Sequence, residues 1–374
     1  MGIEISIEEM CEAMDAQLLQ GDSKVQVQGA ATDSRLVERG AIFFARIGEN
    51  SDGHKYLNSA IESQAGALVV SQSRFSQDSL SSLTSESTPV LVVVDSDKAL
   101  ADLATHWRKK FKFPVIAITG SNGKTTTKEM LRTVLAEIIG EGTASEKSYN
   151  NHVGVPLTIL SCPLDSSWLV LEMGMNHSGE LSFLGDIGQP DIGVILNVGP
   201  AHLGHFQSLS EIADAKCELA SKVRKSGTLI FPDFDNEIHK ALNRTKVGSD
   251  RLVQFGTDLD VKQPESDGQT NYFARDTKSL GIDGLEFIFE QCFGGDSEKC
   301  EEKGKKGTVK LSQLGLHNVR NASAALAAVF EAFPDSDWDR ALKAISKSRA
   351  ASMRIEAVET DRAVVVNDLS LIHI

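Results

Sequence analysis

A glycine-rich segment between a predicted strand and a predicted helix carries the clearest chemical signal in the sequence. Gly120-Ser-Asn-Gly-Lys-Thr125 follows the apolar, largely β-branched run at 115–118, and helical spacing of apolar residues resumes at Met130. A strand, a glycine turn and a helix N-terminus direct backbone N–H groups at an anion. Lys124 adds a charge for the β- and γ-phosphates, and the Thr125 hydroxyl is placed to bind Mg²⁺. We therefore expect a nucleotide-phosphate loop here.

The strict phosphate-loop pattern requires one more glycine, at the position of Ile118 in this chain. The remaining Gly-x-x-Gly-Lys-Thr also fits a glycine-rich turn with an exposed lysine. The strand before it and the helix after it favour nucleotide binding over that alternative.

Two more side chains follow other predicted strands. Glu172 ends the buried run at 168–171, and His202 comes shortly after the run at 191–196. Because ligands of open α/β sheets lie beyond the C-terminal ends of the strands, Glu172 is placed to hold Mg²⁺ opposite Thr125. The alternatives are an acidic residue that begins a loop and a structural histidine.

Lys216 stands on the apolar face of a helix predicted over 209–223, a face that also includes Ile212 and Leu219. In one interpretation its apolar stem crosses that face and its ammonium reaches the rim. In the other, reaction with CO₂ converts a costly buried cation into a carbamate, a carboxylate-like metal ligand. The residues alone leave both open.

Two asparagines begin the alanine-rich helix predicted over 318–330. Asn318 and Asn321 lie three residues apart and therefore share a face. Their amides have the donors and acceptors to contact a purine edge. N-capping of the helix by Asn318 is an equally good interpretation.

Composition excludes several classes of protein. With 38 Lys and Arg against 52 Asp and Glu, the 374-residue chain has a formal charge of -14, which argues against nucleic acid as a partner. Five scattered cysteines without a Cys-x-x-Cys pair favour a reducing compartment. No apolar run approaches the roughly 20 residues that span a bilayer. We expect an acidic cytoplasmic protein without membrane insertion.

The order of predicted elements indicates an α/β protein with more than one domain. Residues 1–112 form a small N-terminal α/β domain, in which the serine-rich, polar stretch 71–88 is expected to be a flexible loop. From residue 113 to 358, strands and helices alternate as in a P-loop domain with a mostly parallel sheet, and the polar, strand-like stretch at 257–310 predicts antiparallel hairpins.

In this order and spacing, the motifs resemble the Mur ligases of peptidoglycan synthesis, and the MurF type in particular. The shared segments of the second domain are Thr119 to Thr126, Lys128-Glu-Met130, Asn150-Asn-His-Val-Gly-Val-Pro156, Glu172-Met-Gly-Met-Asn-His177, His202, Lys216 and His317-Asn-x-x-Asn321. Those of the first domain are Thr32-Asp-Ser-Arg35 and Phe43 through His54. The resemblance covers nearly the whole chain.

That resemblance implies an ATP-dependent ligase. Such enzymes join D-Ala-D-Ala to UDP-N-acetylmuramoyl-tripeptide, with release of ADP and phosphate. The substrate carboxylate attacks the γ-phosphate to form an acyl phosphate, which the dipeptide amine then attacks. The product serves peptidoglycan precursor synthesis, and thereby cell-wall biogenesis, cell shape and cell division. A monomer is expected.

The resemblance also assigns roles by position. Catalytic roles fall to Lys124, Glu172, His202 and Lys216. Contacts with ATP fall to Gly120, Ser121, Asn122, Gly123, Lys124, Thr125, Thr126, Asn318, Asn321, Arg354 and Asp368. Thr125 and Glu172 would hold one Mg²⁺, and His202 a second together with Lys216 as a carbamate. Contacts with the UDP-muramoyl substrate fall to Ser34, Arg35, Asn151 and His177.

Two departures from the family pattern stand near the C-terminus. Ser352-Met-Arg354 replaces the usual Pro-Gly-Arg, and the chain diverges after Val364-Val-Val-Asn-Asp368. We expect 359–374 to be the truncated start of a third, Rossmann-like domain that is otherwise missing, and the chain to be inactive alone. The alternatives are a MurE-type ligase that adds a single amino acid and a non-catalytic P-loop nucleotide-binding module.

Overall fold

The computed structural model describes residues 2–48, 51–146, 149–200, 206–258, 260, 270–293, 302–348, 356–359 and 364–367. The chain forms two compact units, the first of Met1–Phe113 with Tyr149–Ser166 and the second of Pro114–Ser148 with Ser167–Ile374. Both contain helices and mostly parallel sheets, so the predicted α/β class is confirmed. Within the described ranges, no helix has the length and apolar character needed to cross a membrane.

The elements are numbered in chain order. The α-helices are α1 Ile7–Met14, α2 Leu57–Glu62, α3 Ser96–Arg108, α4 Lys124–Ile138, α5 Gly154–Leu160, α6 Glu180–Gly188, α7 Leu209–Cys217, α8 Asn236–Arg244, α9 His317–Ala332 and α10 Trp338–Ile345. The first strands are β1 Glu4–Ser6, β2 Gln17–Gln20, β3 Gln26–Gln28, β4 Ala30–Ala31, β5 Ile42–Phe44, β6 Ala67–Ser71, β7 Val90–Val93, β8 Val115–Thr119 and β9 Thr143–Ala144. The others are β10 Leu169–Glu172, β11 Ile192–Ile195, β12 Thr228–Pro232, β13 Arg251–Thr257, β14 Thr270–Ser279, β15 Leu285–Phe293, β16 Glu302–Leu311, β17 Glu356–Glu359 and β18 Val364–Asn367.

The first unit is built on a five-stranded sheet in the order β2-β7-β6-β5-β4, parallel except at β2. Residues 149–166, which include α5, group with this unit although 35 residues separate them from its main part along the chain. Ile3 N–H donates to the Leu160 carbonyl at 2.7 Å, and the Trp107 indole N–H donates to the Cys162 carbonyl at 2.9 Å. These buried bonds satisfy backbone groups that packing removes from water.

The second unit is built on a nine-stranded sheet in the order β16-β15-β14-β13-β12-β11-β8-β10-β9. The strands from β9 to β14 in this order pair in parallel, and β14, β15 and β16 pair antiparallel. The predicted hairpins are therefore confirmed. Near-continuous apolar strands such as β8 suit a sheet covered on both faces, and every residue of β8 is buried.

Helix α4 packs on this sheet and against α9. Its buried residues Met130, Leu131, Val134 and Leu135 recur at helical spacing, as the sequence predicts. Helix α9 is buried around most of its circumference, and its many alanines let neighbouring elements approach it closely.

The register of the sheet brings three strand ends together. Glu172 of β10 pairs with Ile118 of β8, and Ile195 of β11 pairs with Thr119 on the other side of β8. The segments that follow these three strands therefore meet at one edge of the sheet.

Two local predictions need correction. The helix expected over 209–223 is α-helical only to Cys217 and continues as a 3₁₀ turn, Glu218–Ser221, in which the Ser221 hydroxyl donates to the Glu218 carbonyl at 2.8 Å. The serine-rich stretch 71–88, expected to be a flexible loop, contains the 3₁₀ turn Gln77–Ser82, which begins with a serine capping pair. Serine hydroxyls stabilise both turns by bonding to nearby backbone groups.

Candidate nucleotide-binding site

The phosphate loop depends on glycine at position 123. Gly123 has a φ of +86°, in the left-handed region, and is the N-cap of α4. A Cβ there would lie 2.3 Å from Oδ1 of Asn321, well inside van der Waals contact. The loop conformation and the close approach of α9 both require glycine at this position.

Asn197, two residues after the end of β11, ties a second loop to the phosphate loop. Its carbonyl accepts from the Ser121 N–H at 3.1 Å, and its Oδ1 accepts from the Asn122 N–H at 3.0 Å. Its own Nδ2 donates to the Asn122 carbonyl at 3.1 Å. These two N–H groups are engaged within the protein, whereas the first turn of α4 offers donors to an anion, because the first N–H groups of a helix make no intrahelical bond. No role is predicted for Asn197 from the sequence, although a polar residue at the end of a buried run is the same signal that identifies Glu172.

Lys124 is the first residue of α4, and its ammonium lies over the loop. Its Nζ donates to the Gly120 carbonyl at 2.7 Å. The positive end of the helix and this ammonium together make the loop attractive to a phosphate group. Thr126, also assigned to ATP, is buried in the same turn.

Glu172 lies beside the Thr125 hydroxyl, as predicted. The carboxylate is 1% exposed, and its Oε1 accepts from Thr125 Oγ1 at 3.3 Å. Its Oε2 lies 3.9 Å from Nζ of Lys128, a buried lysine of the shared Lys128-Glu-Met130 segment. A hydroxyl and a carboxylate oxygen are hard ligands that fit Mg²⁺. Among the residues that the structure describes, no group of three or more His, Cys, Asp or Glu side chains is arranged so that it could hold a metal ion.

Lys216 is buried near the end of α7 and is only 2% exposed, so its ammonium does not reach a rim. Burial, and after it the nearby Lys124 ammonium, lower the pKa of the amine from 10.5 to about 7. No carboxylate of the described part of the chain lies within ion-pair distance of it. A large share of Lys216 is therefore a neutral amine near pH 7.

Asn318 and Asn321 are both buried in the first turns of α9. Asn318 Nδ2 donates to the Leu314 carbonyl at 2.7 Å, and Asn321 Nδ2 donates to Asn318 Oδ1 at 2.9 Å. The helix begins at His317 with Leu316 as its N-cap, so the alternative that Asn318 caps the helix is wrong. The amide pair lies against the phosphate loop at Gly123.

The candidate substrate residues are placed as follows. Ser34 and Arg35 lie in the 3₁₀ turn Ser34–Leu36 of the first unit, where the 85% exposed Arg35 side chain pairs with Asp33 and lowers the pKa of that carboxyl to about 2. Asn151, in the same unit, accepts two backbone N–H groups at the start of α5. His177, in the second unit, is exposed, and its Nδ1 lies 3.2 Å from Oε1 of Glu180.

Three predicted site residues are not among these. His202, Arg354 and Asp368 lie outside the residues that the structure describes. The structure thus brings together the phosphate loop, Thr125, Glu172 and the amide pair.

Two family models match the sequence. The model of the Mur ligase middle domain matches residues 118–329, and the model described as Mur ligase family, catalytic domain, matches residues 26–108. The first spans more than half of the chain and includes every residue of the phosphate loop.

Curated relatives carry one recurring name. The UDP-N-acetylmuramoyl-tripeptide–D-alanyl-D-alanine ligase of Bacillus subtilis is 32% identical over 348 residues, which is 91% of this chain and 66% of that protein. The enzyme of the same name from Haemophilus influenzae is 33% identical over 329 residues, which is 87% of this chain and 64% of that protein. The chain therefore spans a little less than two thirds of the length of these relatives.

Solved structures agree in fold. MurF from Acinetobacter baumannii superposes with a TM-score of 0.80 at 26% identity, over 98% of this chain and 73% of that one. MurF from Thermotoga maritima in complex with ADP superposes with a TM-score of 0.70 at 25% identity, over 91% of this chain and 70% of that one.

Proposed function

The chain belongs to the Mur ligase family, and on that premise we propose that it takes part in joining D-Ala-D-Ala to UDP-N-acetylmuramoyl-tripeptide with ATP. The observation that carries this proposal is the phosphate loop with the Thr125–Glu172 pair beside it. The shared name of the relatives from B. subtilis and H. influenzae supports the choice of substrates. The ADP bound to the T. maritima MurF supports ATP as the nucleotide.

The proposed reaction has two steps. The tripeptide carboxylate attacks the γ-phosphorus of ATP, and the bond from that phosphorus to the bridging β-phosphate oxygen breaks. ADP is released, and the tripeptide now carries an acyl phosphate. The amine of D-Ala-D-Ala then attacks the acyl carbon, phosphate leaves, and the nitrogen loses a proton to give the amide. Activation is necessary because a free carboxylate is a poor acyl donor.

The chain's own residues serve the first step by holding charge in place. The first turn of α4 and Lys124 bind and orient the phosphates, which brings the attacking carboxylate and the γ-phosphate together against their mutual repulsion. Thr125 and Glu172 would hold Mg²⁺, which neutralises phosphate charge when bound. His202 and a carbamate on Lys216 are proposed to hold a second ion.

Further roles are proposed from the family pattern. Asn318, Asn321, Arg354 and Asp368 would contact the nucleotide beyond the phosphates. Ser34, Arg35, Asn151 and His177 would contact the UDP-muramoyl substrate. A cytoplasmic, monomeric state stays a prediction.

The test is amide formation from ATP, UDP-N-acetylmuramoyl-tripeptide and D-Ala-D-Ala, followed by mass spectrometry of the product and by ADP release. The chain is compared with a longer form that adds the part of the B. subtilis relative beyond the match. We expect amide product from the longer form. That product should depend on both substrates and should be lost when the longer form carries Lys124→Ala. Lys240→Ala, which removes an exposed lysine paired with Glu237, is the matched control.

Two results would contradict the proposal. Ligation of a single amino acid in place of the dipeptide would indicate the MurE-type reaction. Binding of ADP by both forms without any amide product would indicate a non-catalytic nucleotide-binding module.

A further inference from the structure

A buried lysine on α4 contacts the candidate metal ligand from the side opposite Thr125. Lys128 follows Thr125 by three residues, so the two side chains share a face of the helix. The Lys128 side chain is only 1% exposed. Its Nζ donates to the Ser145 carbonyl at 2.7 Å and lies 3.3 Å from Oε1 of Glu129 and 3.9 Å from Oε2 of Glu172. A lysine is rarely buried to this extent without a specific partner.

The two oxygens of Glu172 have different neighbours. Oε1 faces the Thr125 hydroxyl, and Oε2 faces the Lys128 ammonium. Ser145 fixes both groups, because its hydroxyl accepts the Glu172 N–H at 3.0 Å while its carbonyl accepts from Lys128. The Glu172 backbone and the Lys128 ammonium are thus tied to the same residue, with Oε1 of the carboxylate beside the Thr125 hydroxyl and Oε2 on the side of Lys128.

This division matters for the choice of cation. Mg²⁺ requires near-ideal octahedral geometry and takes a single oxygen from a carboxylate in such sites, whereas Ca²⁺ readily takes both oxygens. A dication bound to both oxygens of Glu172 would lie closer to the Lys128 ammonium than one bound to Oε1 alone. Like charges at such distances in a buried site repel strongly.

We propose that Lys128 is a positioning residue that reserves Oε1 of Glu172 for the cation and makes the site selective for Mg²⁺ over Ca²⁺. The inference rests on the proposed function, since it assumes that the phosphate loop binds a nucleotide with a divalent cation. The inference concerns Lys128, a lysine that takes no part in the proposed reaction steps.

The test measures ADP binding to the full chain by isothermal titration calorimetry in EDTA, in Mg²⁺ and in Ca²⁺. The quantity of interest is the gain in ADP affinity with Mg²⁺ divided by the gain with Ca²⁺. Lys128→Met removes the ammonium and keeps an apolar side chain of similar length. Lys128→Gln keeps a donor for the Ser145 carbonyl, and it replaces the Met variant if that one does not fold. Arg132→Met is the control, because it removes an exposed cation of α4 that pairs with Glu129.

We expect the Mg²⁺-to-Ca²⁺ ratio to fall about tenfold or more in both Lys128 variants, the size typical of lost partners around a metal ligand. Binding of ADP in EDTA and the ratio in Arg132→Met should stay unchanged. Lys128→Arg, which keeps the charge, should retain most of the selectivity.

An unchanged ratio in a folded Lys128 variant would overturn the inference. So would an equal fall in Arg132→Met, or an equal loss of ADP binding in EDTA, because each would indicate a general structural role. If the unsubstituted chain showed no ADP binding, the proposed function would fail together with the inference. That failure is recognised without any Lys128 variant.

Discussion

Lys216 is expected to form a carbamate with CO₂ under conditions in which ordinary lysines do not. Its amine is buried in α7, and this burial is the main cause that lowers its pKa from 10.5 to about 7. Only a neutral amine attacks CO₂. The attack forms an N–C bond, opens one C–O π bond of CO₂ and releases one proton, so that the neutral amine becomes a carbamate anion.

The expected advantage of Lys216 over an ordinary lysine in the reaction with CO₂ follows from the difference between their pKa values. At pH 8 an amine with a pKa of about 7 is ~90% neutral, whereas one with a pKa of 10.5 is ~0.3% neutral, a difference of roughly 300-fold in reactive species. The buried cation is also costly to keep, so its replacement by a group that binds metal is favoured once a dication is present.

The assay is ¹³C NMR of the full chain in ¹³C-labelled bicarbonate at fixed dissolved CO₂. We expect one carbamate resonance that grows as the pH rises from 6 to 8 and is absent in Lys216→Met. Lys222→Met, which removes the partly exposed lysine paired with Asp186, is the control that should keep the resonance. Lys124→Met should move this growth to higher pH, because the Lys124 ammonium is the second cause of the lowered pKa.

The reasoning is refuted if no resonance appears below pH 9, or if the same resonance persists in Lys216→Met. Growth over the same pH range in a folded Lys124→Met variant would refute the electrostatic part alone. Loss of the resonance in Lys222→Met as well would show that the signal does not report on Lys216.

Three further predictions concern positions around the site. Gly123→Ala and Gly179→Ala both place a Cβ on a backbone with positive φ and should each cost about 1 kcal/mol of unfolding free energy. Only the Cβ at position 123 overlaps Asn321, so only Gly123→Ala should weaken ADP binding in calorimetry. Equal ADP binding by both variants would be evidence against the overlap. Burial raises the pKa of Asp233 from 3.8 to about 7, so its stabilising contribution is full below pH 4 and is lost as pH rises through 7. Asp233→Asn should therefore melt roughly 5 °C or more above the unsubstituted chain at pH 8 but not at pH 4, and a pH-independent difference in calorimetric scans would contradict this cause. Ser208→Ala removes the N-cap of α7 and should lower the free energy of unfolding by about 1 kcal/mol in urea titrations, whereas a loss below 0.3 kcal/mol would show that the cap is dispensable.

Local patterns were sufficient to predict the parts of the site that lie close together in sequence. The apolar run of β8, the glycine turn and the helical spacing after Lys124 predict the phosphate loop because each depends on neighbours within a few residues. The position of Glu172 at a strand end was predictable for the same reason. Its contact with Thr125 also needed the general rule that parallel strand ends meet at one edge of the sheet.

Contacts set by strand order were not predictable in this way. Lys128 follows three threonines and precedes a glutamate, which gives no sign of burial, and it is buried only because α4 packs beside β9 and β10. Ser145 enters the site because β9 pairs next to β10. Asn197 reaches the phosphate loop because β11 lies next to β8. A sequence pattern contains no strand order or register, so the contacts of these three residues were not predictable.

The charges of the site explain why an acidic chain can bind a polyanion. The formal charge of -14 repels ATP at long range, so attraction has to come from local groups. The positive charge of Lys128 offsets the negative charge of Glu172, and that of Lys124 would be offset by a carbamate on Lys216. The charges of these four protein groups would then sum to about zero. Bound dications are left to balance the phosphate charge, and nucleotide affinity should depend steeply on the concentration of these dications.

With Lys216 as a plain amine, one negative ligand is lost and the site should hold a single dication. Lys216→Met should therefore reduce the number of Mn²⁺ ions bound with ADP, counted by electron paramagnetic resonance, from two to one, and an unchanged count would contradict this balance.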